Sequence, residues 1–187
     1  NITFDRTFKV INYVYTNKGK INKSFFKLNK SIANSFLEKD INNLHFKNSN
    51  FNARYASDKK NYIHASGAYS IDDKNYQSYD FKNDFFRETS NINLNFEFAQ
   101  KLNINFINYK KDHDKVAKIF LNIQTKKDLI NLKKLKYSES KNLILIEKLK
   151  INKKDIITIG KIKVNTFEQS NLKNDFTLDF GKKIKIS

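Results

Sequence analysis

Hydrophobic and polar residues alternate along many short stretches of this chain. In residues 91–98, Ile92, Leu94 and Phe96 are separated by asparagines. Because successive side chains of a β-strand point to opposite faces, this alternation collects the hydrophobic ones on one face. The pattern predicts a mainly β fold, an elongated and curved antiparallel sheet that forms a groove or a solenoid-like ladder. Further alternating runs are Phe8 with Val10, Ile11-Tyr13-Tyr15, Leu44-Phe46, Phe51-Ala53-Tyr55, Leu102-Ile104-Phe106, Ile119-Leu121-Ile123, Phe176-Leu178-Phe180 and Ile184-Ile186.

Helical spacing is rare. Residues 27–39 place hydrophobic side chains at positions 28, 32, 36 and 37, which predicts one short helix. Residues 126–132 are expected to add one or two helical turns. Tight turns are expected at residues 16–19 and 72–75, where Asn, Asp, Lys and Gly cluster, because these residues favour turn conformations.

A basic motif recurs in the last third of the chain. Lys-Leu-Lys-Tyr at residues 134–137 is followed by Lys-Leu-Lys-Ile at 148–151 and Lys-Ile-Lys-Val at 161–164, with hydrophobic runs at 143–146 and 156–159 between them. This order predicts a repeated unit of two short strands joined by a charged turn. Chance recurrence in a chain rich in lysine and isoleucine is the alternative.

The charge of the chain has two explanations. The 36 Lys and Arg against 19 Asp and Glu give a net charge of +17, which raises the expectation of an anionic partner, nucleic acid or membrane. The second explanation is an AT-rich genome, which inflates Lys, Asn, Ile, Phe and Tyr together. The absence of cysteine excludes disulfides and thiolate chemistry.

The residues offer no arrangement typical of an enzyme. His113 lies between Asp112 and Asp114, but adjacent side chains point in different directions, so a solvated turn is the better interpretation than a metal site. Phosphate-binding loops and the usual hydrolase and zinc motifs are absent from the sequence. A non-enzymatic protein without a cofactor is therefore expected.

Both ends of the sequence indicate a piece of a longer protein. The chain starts at Asn1, contains no methionine, and stops at Ser187 within an alternating stretch. Residues 1–187 are therefore expected to form a single segment of a larger β-sheet region, with any membrane anchor lying outside it.

Three stretches of the last third resemble a known family. They are residues 119–125, residues 132–137, and Asn-Asp-Phe-Thr-Leu-Asp-Phe-Gly-Lys-Lys-Ile-Lys-Ile at 174–186. The last stretch is similar to the N-D-F-x-[IL]-x-[FY]-G-K-x-I-x-I pattern of AsmA-like proteins, in particular the YhdP-related group with its periplasmic domain of unknown function. The resemblance covers about 70 residues, and its motifs are structural.

This resemblance implies a role in the cell envelope. AsmA-like proteins are anchored in the bacterial inner membrane by an N-terminal helix, and their periplasmic β-sheet is thought to carry phospholipid acyl chains along an apolar groove toward the outer membrane. The chain is accordingly expected to be periplasmic, with phospholipid as its partner. The candidate groove-lining residues are Leu94, Phe96, Ile104, Phe106, Leu145, Ile157, Phe176 and Leu178.

Other hypotheses remain open. An ordinary closed core would use the same side chains as a groove. Lysine interleaved with aromatic residues, as at Phe25-Phe26-Lys27, is also compatible with a nucleic-acid-binding or ribosome-associated protein. A third hypothesis is an exported surface or barrel fragment, although most of the alternating runs are shorter than the strands of about 9–11 residues that a barrel needs.

Overall fold

The computed structural model describes residues 1–32, 35–58, 61–152, 155–168 and 171–180, with the side chains of residues 155–157 left outside that description. Almost all of these residues lie in β-strands. The strands are β1 (Ile2–Phe4), β2 (Val10–Ile32), β3 (Ile41–Ala56), β4 (Asn61–Ser70), β5 (Gln77–Phe86), β6 (Thr89–Phe98), β7 (Leu102–Ile104), β8 (Tyr109–Lys111), β9 (Ala117–Lys126), β10 (Leu129–Glu139), β11 (Asn142–Asn152), β12 (Asp155–Thr158), β13 (Lys161–Glu168) and β14 (Asn171–Asp179).

Eleven strands form one large, curved and open antiparallel sheet, which confirms the predicted fold class. Their order is β1-β2-β3-β4-β5-β6-β9-β10-β11-β13-β14, and β12 pairs with β11 beside this path. Strands adjacent in sequence are mostly adjacent in the sheet, as expected for a chain of hairpins. The described strands are longer than the alternating runs predicted, because Asn, Ser and Lys positions continue the ladders.

The predicted helix at residues 27–39 is wrong. Strand β2 continues to Ile32, residues 35–39 contain no helix, and residues 33 and 34 lie outside the described part of the chain. Helical spacing is overridden here because β2 pairs with β3 on both sides of an irregularity, with Phe26 opposite Leu44 before it and Ile32 opposite Ile41 after it. Among the described residues the only helical element is a 3₁₀ turn, Asn105–Ile107.

The other local predictions have mixed outcomes. The expected helical turns at residues 126–132 are wrong, because Lys126 ends β9, Leu129 begins β10, and Lys127 takes a positive φ of 51° in the tight turn between them. The turn at residues 16–19 is also wrong, since these residues lie within β2. The turn at residues 72–75 is confirmed: Asp72 Oδ1 accepts hydrogen bonds from the backbone N–H groups of Lys74 and Asn75.

The basic motif follows single strands. Its three copies lie in β10, β11 and β13, and only the last two are separated by a further strand, β12, so a regular unit of two strands is not repeated. The copies are not equivalent in register either. Leu135 and Ile162 both lie opposite Ile146, whereas Leu149 lies opposite Leu132.

An excursion between β6 and β9 covers part of the sheet. Residues 102–111, comprising β7, the 3₁₀ turn and β8, are called the cover segment. Ile107 and Tyr109 of this segment form the buried core with Ala117, Tyr137 and Val164 of the sheet. The main dry core of the described chain therefore lies between the cover segment and one end of the sheet.

The tip of the β2–β3 hairpin reaches the cover segment. The backbone N–H of Asn103 donates to the carbonyl oxygen of Phe36 over 2.9 Å. The rings of Phe36 and Phe106 lie 6.2 Å apart, and Leu37 forms a bridge with Leu102. The tip of the β2–β3 hairpin and the cover segment are thus held together by a backbone hydrogen bond and by packing of their hydrophobic side chains.

Candidate apolar binding face

The register of the sheet aligns hydrophobic side chains across neighbouring strands. Residues paired directly across antiparallel strands share a face, so the pairings trace rows perpendicular to the strands. The central row is Gly19, Phe51, Ala65, Phe81, Leu94, Leu121, Leu135, Ile146, Ile162 and Leu178. It crosses ten strands without a polar side chain.

Two flanking rows extend this surface. The cover-side row is Gly67, Tyr79, Phe96, Ile119, Tyr137, Ile144, Val164 and Phe176. The outer row is Asn17, Ala53, Ile63, Asn83, Ile92, Ile123, Leu132 and Leu149. The three rows together are called the apolar face, and none of their residues carries a charge.

Much of the apolar face remains accessible. Leu178 is 46% exposed, Ile63 is 41% exposed and Phe176 is 36% exposed, while Phe81 and Leu94 are half-buried. Ile107 and Tyr109 of the cover segment form a buried cluster with Tyr137 and Val164 of the cover-side row, and Leu135 and Ile162 of the central row pack against this cluster. The apolar face is therefore covered by the cover segment along one side only, and its remaining part is open to solvent.

On the same side of the apolar face as the cover segment, a row of packed aromatic rings extends toward β2. Tyr69 lies 6.1 Å from Phe96 and 6.3 Å from Tyr79, and Phe46 lies 5.3 Å from Tyr79 and 5.7 Å from Phe26, each distance between ring centroids. The edge-to-face angles of 72–87° are those that aromatic pairs prefer. The hydroxyl of Tyr69 donates to the carbonyl oxygen of Glu97 over 2.6 Å, and burial raises the pKa of Tyr69 above its ordinary range.

Buried polar groups hold the cover segment on the sheet. The Tyr109 hydroxyl lies 2.7 Å from the Tyr137 hydroxyl and donates to Glu139 Oε2 over 3.0 Å, and Asn142 Nδ2 donates to the same oxygen over 2.6 Å. Burial raises the pKa of both tyrosines. Burial alone would also raise the pKa of Glu139, but hydrogen bonds from Ser140, Asn142 and Tyr109 outweigh it and leave that pKa lowered.

A second anchor lies at the end of the cover segment. Lys111 is 1% exposed, and its ammonium group donates to the carbonyl oxygens of Asp112 and Lys115 over 2.9 and 2.6 Å. Burial lowers the pKa of Lys111. Because buried polar groups are costly unless they are hydrogen-bonded, these contacts stabilise the connection between β8 and β9.

The opposite face of the sheet is polar. Asn122 Nδ2 donates to Asn93 Oδ1 over 2.8 Å, and Gln124 Nε2 donates to Asn91 Oδ1 over 2.9 Å, which forms a ladder of side-chain amides. On the same face, one pairing row runs through Lys20, Asn50, Ser66, Asp80, Asn95, Phe120, Lys136, Leu145, Lys163 and Thr177. The charged side chains of these rows thus lie on the polar face, which also carries Phe120 and Leu145.

The structure brings four of the eight predicted groove residues together. Leu94, Phe96, Phe176 and Leu178 lie on the apolar face, whereas Leu145 lies on the polar face between Lys136 and Lys163. The side chain of Ile157, in β12, lies outside the described residues. The two remaining positions belong to the cover segment, where Ile104 packs toward the core and Phe106 is 77% exposed.

Other members of the apolar face were missed. Leu121 and Ile119 lie in an alternating run, so the sequence predicts that they share a face. Pairing with β6 shows that this is the face of Leu94 and Phe96. Ile144 and Ile146 lie in a continuous hydrophobic run, residues 143–146, in which alternation gives no signal. Only the pairing with β10 assigns their face.

No metal site is apparent in the described part of the chain. No group of three or more His, Asp or Glu side chains in those residues is placed to hold a metal ion. His113 Nε2 instead lies 3.1 Å from Glu38 Oε2, next to the Lys101–Glu38 ion pair. Within the same residues, no helix has the length and hydrophobicity needed to span a membrane.

Comparisons of the chain with protein-family models, with curated proteins and with solved structures found no match. The resemblance to AsmA-like proteins therefore stays a prediction.

Proposed function

We propose that this chain is a periplasm-facing segment of a lipid-carrying protein, in which the apolar face holds phospholipid acyl chains. The observation that carries the proposal is the uncharged central row, which stays partly open to solvent. A sheet with one apolar face must cover it with another layer or with a ligand. Here the cover segment supplies only part of such a layer.

The dimensions of the central row suit an acyl chain. From Phe51 to Leu178 the row crosses nine strands, and with a strand spacing of about 4.8 Å it measures about 38 Å. Half the hydrocarbon core of a bilayer, which one acyl chain spans, measures about 15 Å. The row is therefore longer than an acyl chain. An acyl chain bound to it has room to move along the row, perpendicular to the strands.

The energetics suit carriage rather than permanent binding. Each methylene buried from water contributes about 0.8 kcal/mol, without directional preference. An acyl chain leaving a bilayer loses a similar burial, so its transfer to an apolar surface is close to balanced in free energy. Such a surface needs no catalytic residue and no cofactor. In this proposal the inner-membrane anchor belongs to a part of the protein outside these 187 residues.

The separation of the two faces favours lipid over nucleic acid as the ligand. A surface that binds single-stranded nucleic acid combines stacking aromatic rings with basic groups. In this sheet, Phe81 lies on the apolar face and the adjacent Lys82 on the polar face. Tyr79, Phe96 and Tyr137 likewise lie on the apolar face, whereas Phe120 lies opposite Lys136 on the polar face. The larger group of aromatic rings is therefore presented away from the lysines of the polar face.

A pair of tryptophan variants on β6 tests the proposal. The chain has no native tryptophan, so Leu94→Trp and Asn95→Trp each introduce a single tryptophan that can be excited selectively, one on the apolar face and one on the polar face. Phosphatidylcholine with brominated acyl chains is expected to quench the Leu94→Trp variant strongly and the Asn95→Trp variant weakly. Equal quenching of both variants would show that acyl chains do not select the apolar face.

A second pair tests whether the face is needed for lipid pickup. Leu178→Asp and Thr177→Asp place the same charge on neighbouring exposed positions of β14, on opposite faces. Mass spectrometry of phospholipid bound to the purified protein is expected to show a loss for Leu178→Asp only. Steeply salt-dependent oligonucleotide binding by the unmodified chain, without any bound lipid, would instead favour the nucleic-acid hypothesis.

A further inference from the structure

Three lysines line one hollow formed by β10, β11 and the residues after β12. Lys133, Lys148 and Lys150 surround a space of about 520 Å³ together with Asn131, Gly160 and Phe180. None of the three lysines is ion-paired with a described carboxylate, whereas their neighbour Lys134 lies 3.7 Å from Glu147. The set is called the basic hollow.

The basic hollow lies at an irregularity in the sheet. Lys133 is the extra residue where the register between β9 and β10 shifts, and Lys148 takes a positive φ of 59° within β11. Bulges redirect side chains and occur often beside functional sites. The positive φ of Lys148 departs from regular strand geometry, so it adds to the local irregularity of β11.

The arrangement brings like charges together. Lys133 and Lys148 occupy facing positions between the pairs Leu132–Leu149 and Lys134–Glu147. Like charges facing each other across two strands destabilise a sheet. A bound anion would remove this repulsion.

Gly160 keeps the basic hollow compact. A Cβ atom at Gly160 would lie 2.7 Å from Lys148 Cβ and 3.1 Å from the carbonyl oxygen of Glu147. Only glycine allows the chain after β12 to approach Lys148 this closely. The hollow is therefore built by backbone approach and not only by long flexible side chains.

We infer that the basic hollow is a binding site for a phosphate group. Phosphate monoesters carry a charge of about −1.5 to −2 at pH 7 and three strong acceptor oxygens. Three ammonium groups and the Asn131 side chain supply donors for these oxygens, and lysine is a common phosphate ligand. Asn131 pairs with Lys150 on the polar face, so this site is separate from the apolar face and does not rest on the function proposed for it.

The phosphate can belong to a lipid headgroup or to a soluble compound, and two experimental arms separate these sources. In the first arm, inorganic phosphate is titrated into the ¹⁵N-labelled chain while amide resonances are followed by NMR. Saturable shifts are expected for Lys148 and Gly160. In the second arm, the chain and its Lys133→Gln/Lys150→Gln variant are sedimented with vesicles of phosphatidylcholine alone or with one-fifth phosphatidylglycerol. Because a net charge of +17 alone favours anionic vesicles, only binding that this variant loses assigns the site to headgroups. Saturable phosphate shifts in the first arm without such a loss assign it to soluble phosphate.

Charge-neutral variants provide the control. The double variant Lys133→Gln/Lys150→Gln is expected to weaken phosphate binding at least tenfold. The double variant Lys20→Gln/Lys27→Gln removes the same charge from exposed positions of the distant strand β2 and is expected to change it less than twofold. Circular dichroism verifies that both variants fold. Equal weakening by both, or an absence of saturable shifts at Gly160 in the unmodified chain, would overturn the inference.

Discussion

Replacing Gly67 by alanine tests a close approach between strands β3 and β4. A Cβ atom at Gly67 would lie 2.6 Å from Ser49 Cα and 2.5 Å from Ser49 Oγ. Ser49 is only 1% exposed and lies at the point where the register of β3 against β4 shifts. Because the nearest atoms include backbone, the methyl group cannot be accommodated by rotating a side chain, and one of the two strands must move.

Gly19→Ala is the matched control. Gly19 also lies in a strand of the same sheet, but its added Cβ would lie 3.6 Å from the ring of Phe51, an ordinary van der Waals distance. Neither glycine has a positive φ, so alanine is allowed by the backbone at both positions. Replacing a strand glycine by alanine gains about 0.5–1 kcal/mol, and this gain is common to both variants.

The difference between the two variants isolates the steric cost. Forcing an extra methyl group into a packed site costs about 1–3 kcal/mol. We therefore expect Gly67→Ala to be less stable than Gly19→Ala by about 1–3 kcal/mol in urea unfolding followed by circular dichroism at 25 °C. If the two free energies of unfolding agree within about 0.5 kcal/mol, β3 and β4 do not approach as described.

Three further predictions concern the seating of the cover segment. Tyr109→Phe leaves buried oxygens short of a hydrogen bond, so the free energy of unfolding is expected to fall by about 1–3 kcal/mol in urea titrations. The pKa of Glu139 is lowered in the folded state, so its ionised form stabilises the fold at pH values above 4.5, the ordinary pKa of the group, and this stabilisation is lost as the pH falls through the folded-state pKa. Glu139→Gln should therefore reduce the decline of the urea midpoint between pH 7 and pH 3. Asn174 Nδ2 donates to the carbonyl oxygen of Ile107 over 2.8 Å, so Asn174→Ala, unlike Asn165→Ala on the polar face, should accelerate amide hydrogen exchange at residues 102–111.

Alternation predicted the fold class and the central part of the apolar face. In β6, Ile92, Leu94 and Phe96 share a face because an uninterrupted strand keeps its period of two. The prediction failed where the period was hidden. Leu145 was assigned to the groove from a continuous hydrophobic run, and its pairing with Lys136 and Lys163 places it on the polar face.

Long-range packing accounts for the remaining differences. The alternating run 102–106 has the pattern of a sheet strand, yet it forms the cover segment, because Ile107 and Tyr109 bury themselves against Tyr137 and Val164. Residues 27–39 have helical spacing of their hydrophobic side chains, yet the stretch up to Ile32 belongs to β2, which pairs with β3 at Lys27 and Ile32. Neither outcome is contained in local periodicity, since both depend on partners far away in the sequence.

The two proposed sites lie on opposite faces of the same sheet and must therefore bind separate ligands. Leu178 lies on the apolar face, whereas Lys150 lies on the polar face, so a single phospholipid does not place its acyl chains on one site and its headgroup on the other. The basic hollow must therefore recognise a separate phosphate, from a membrane surface or from a soluble compound. Because sites without shared partners contribute additively to stability, saturating both should raise the free energy of unfolding by the sum of their separate effects. A deficit from that sum would mean that the two faces communicate through the bulged strands β10 and β11.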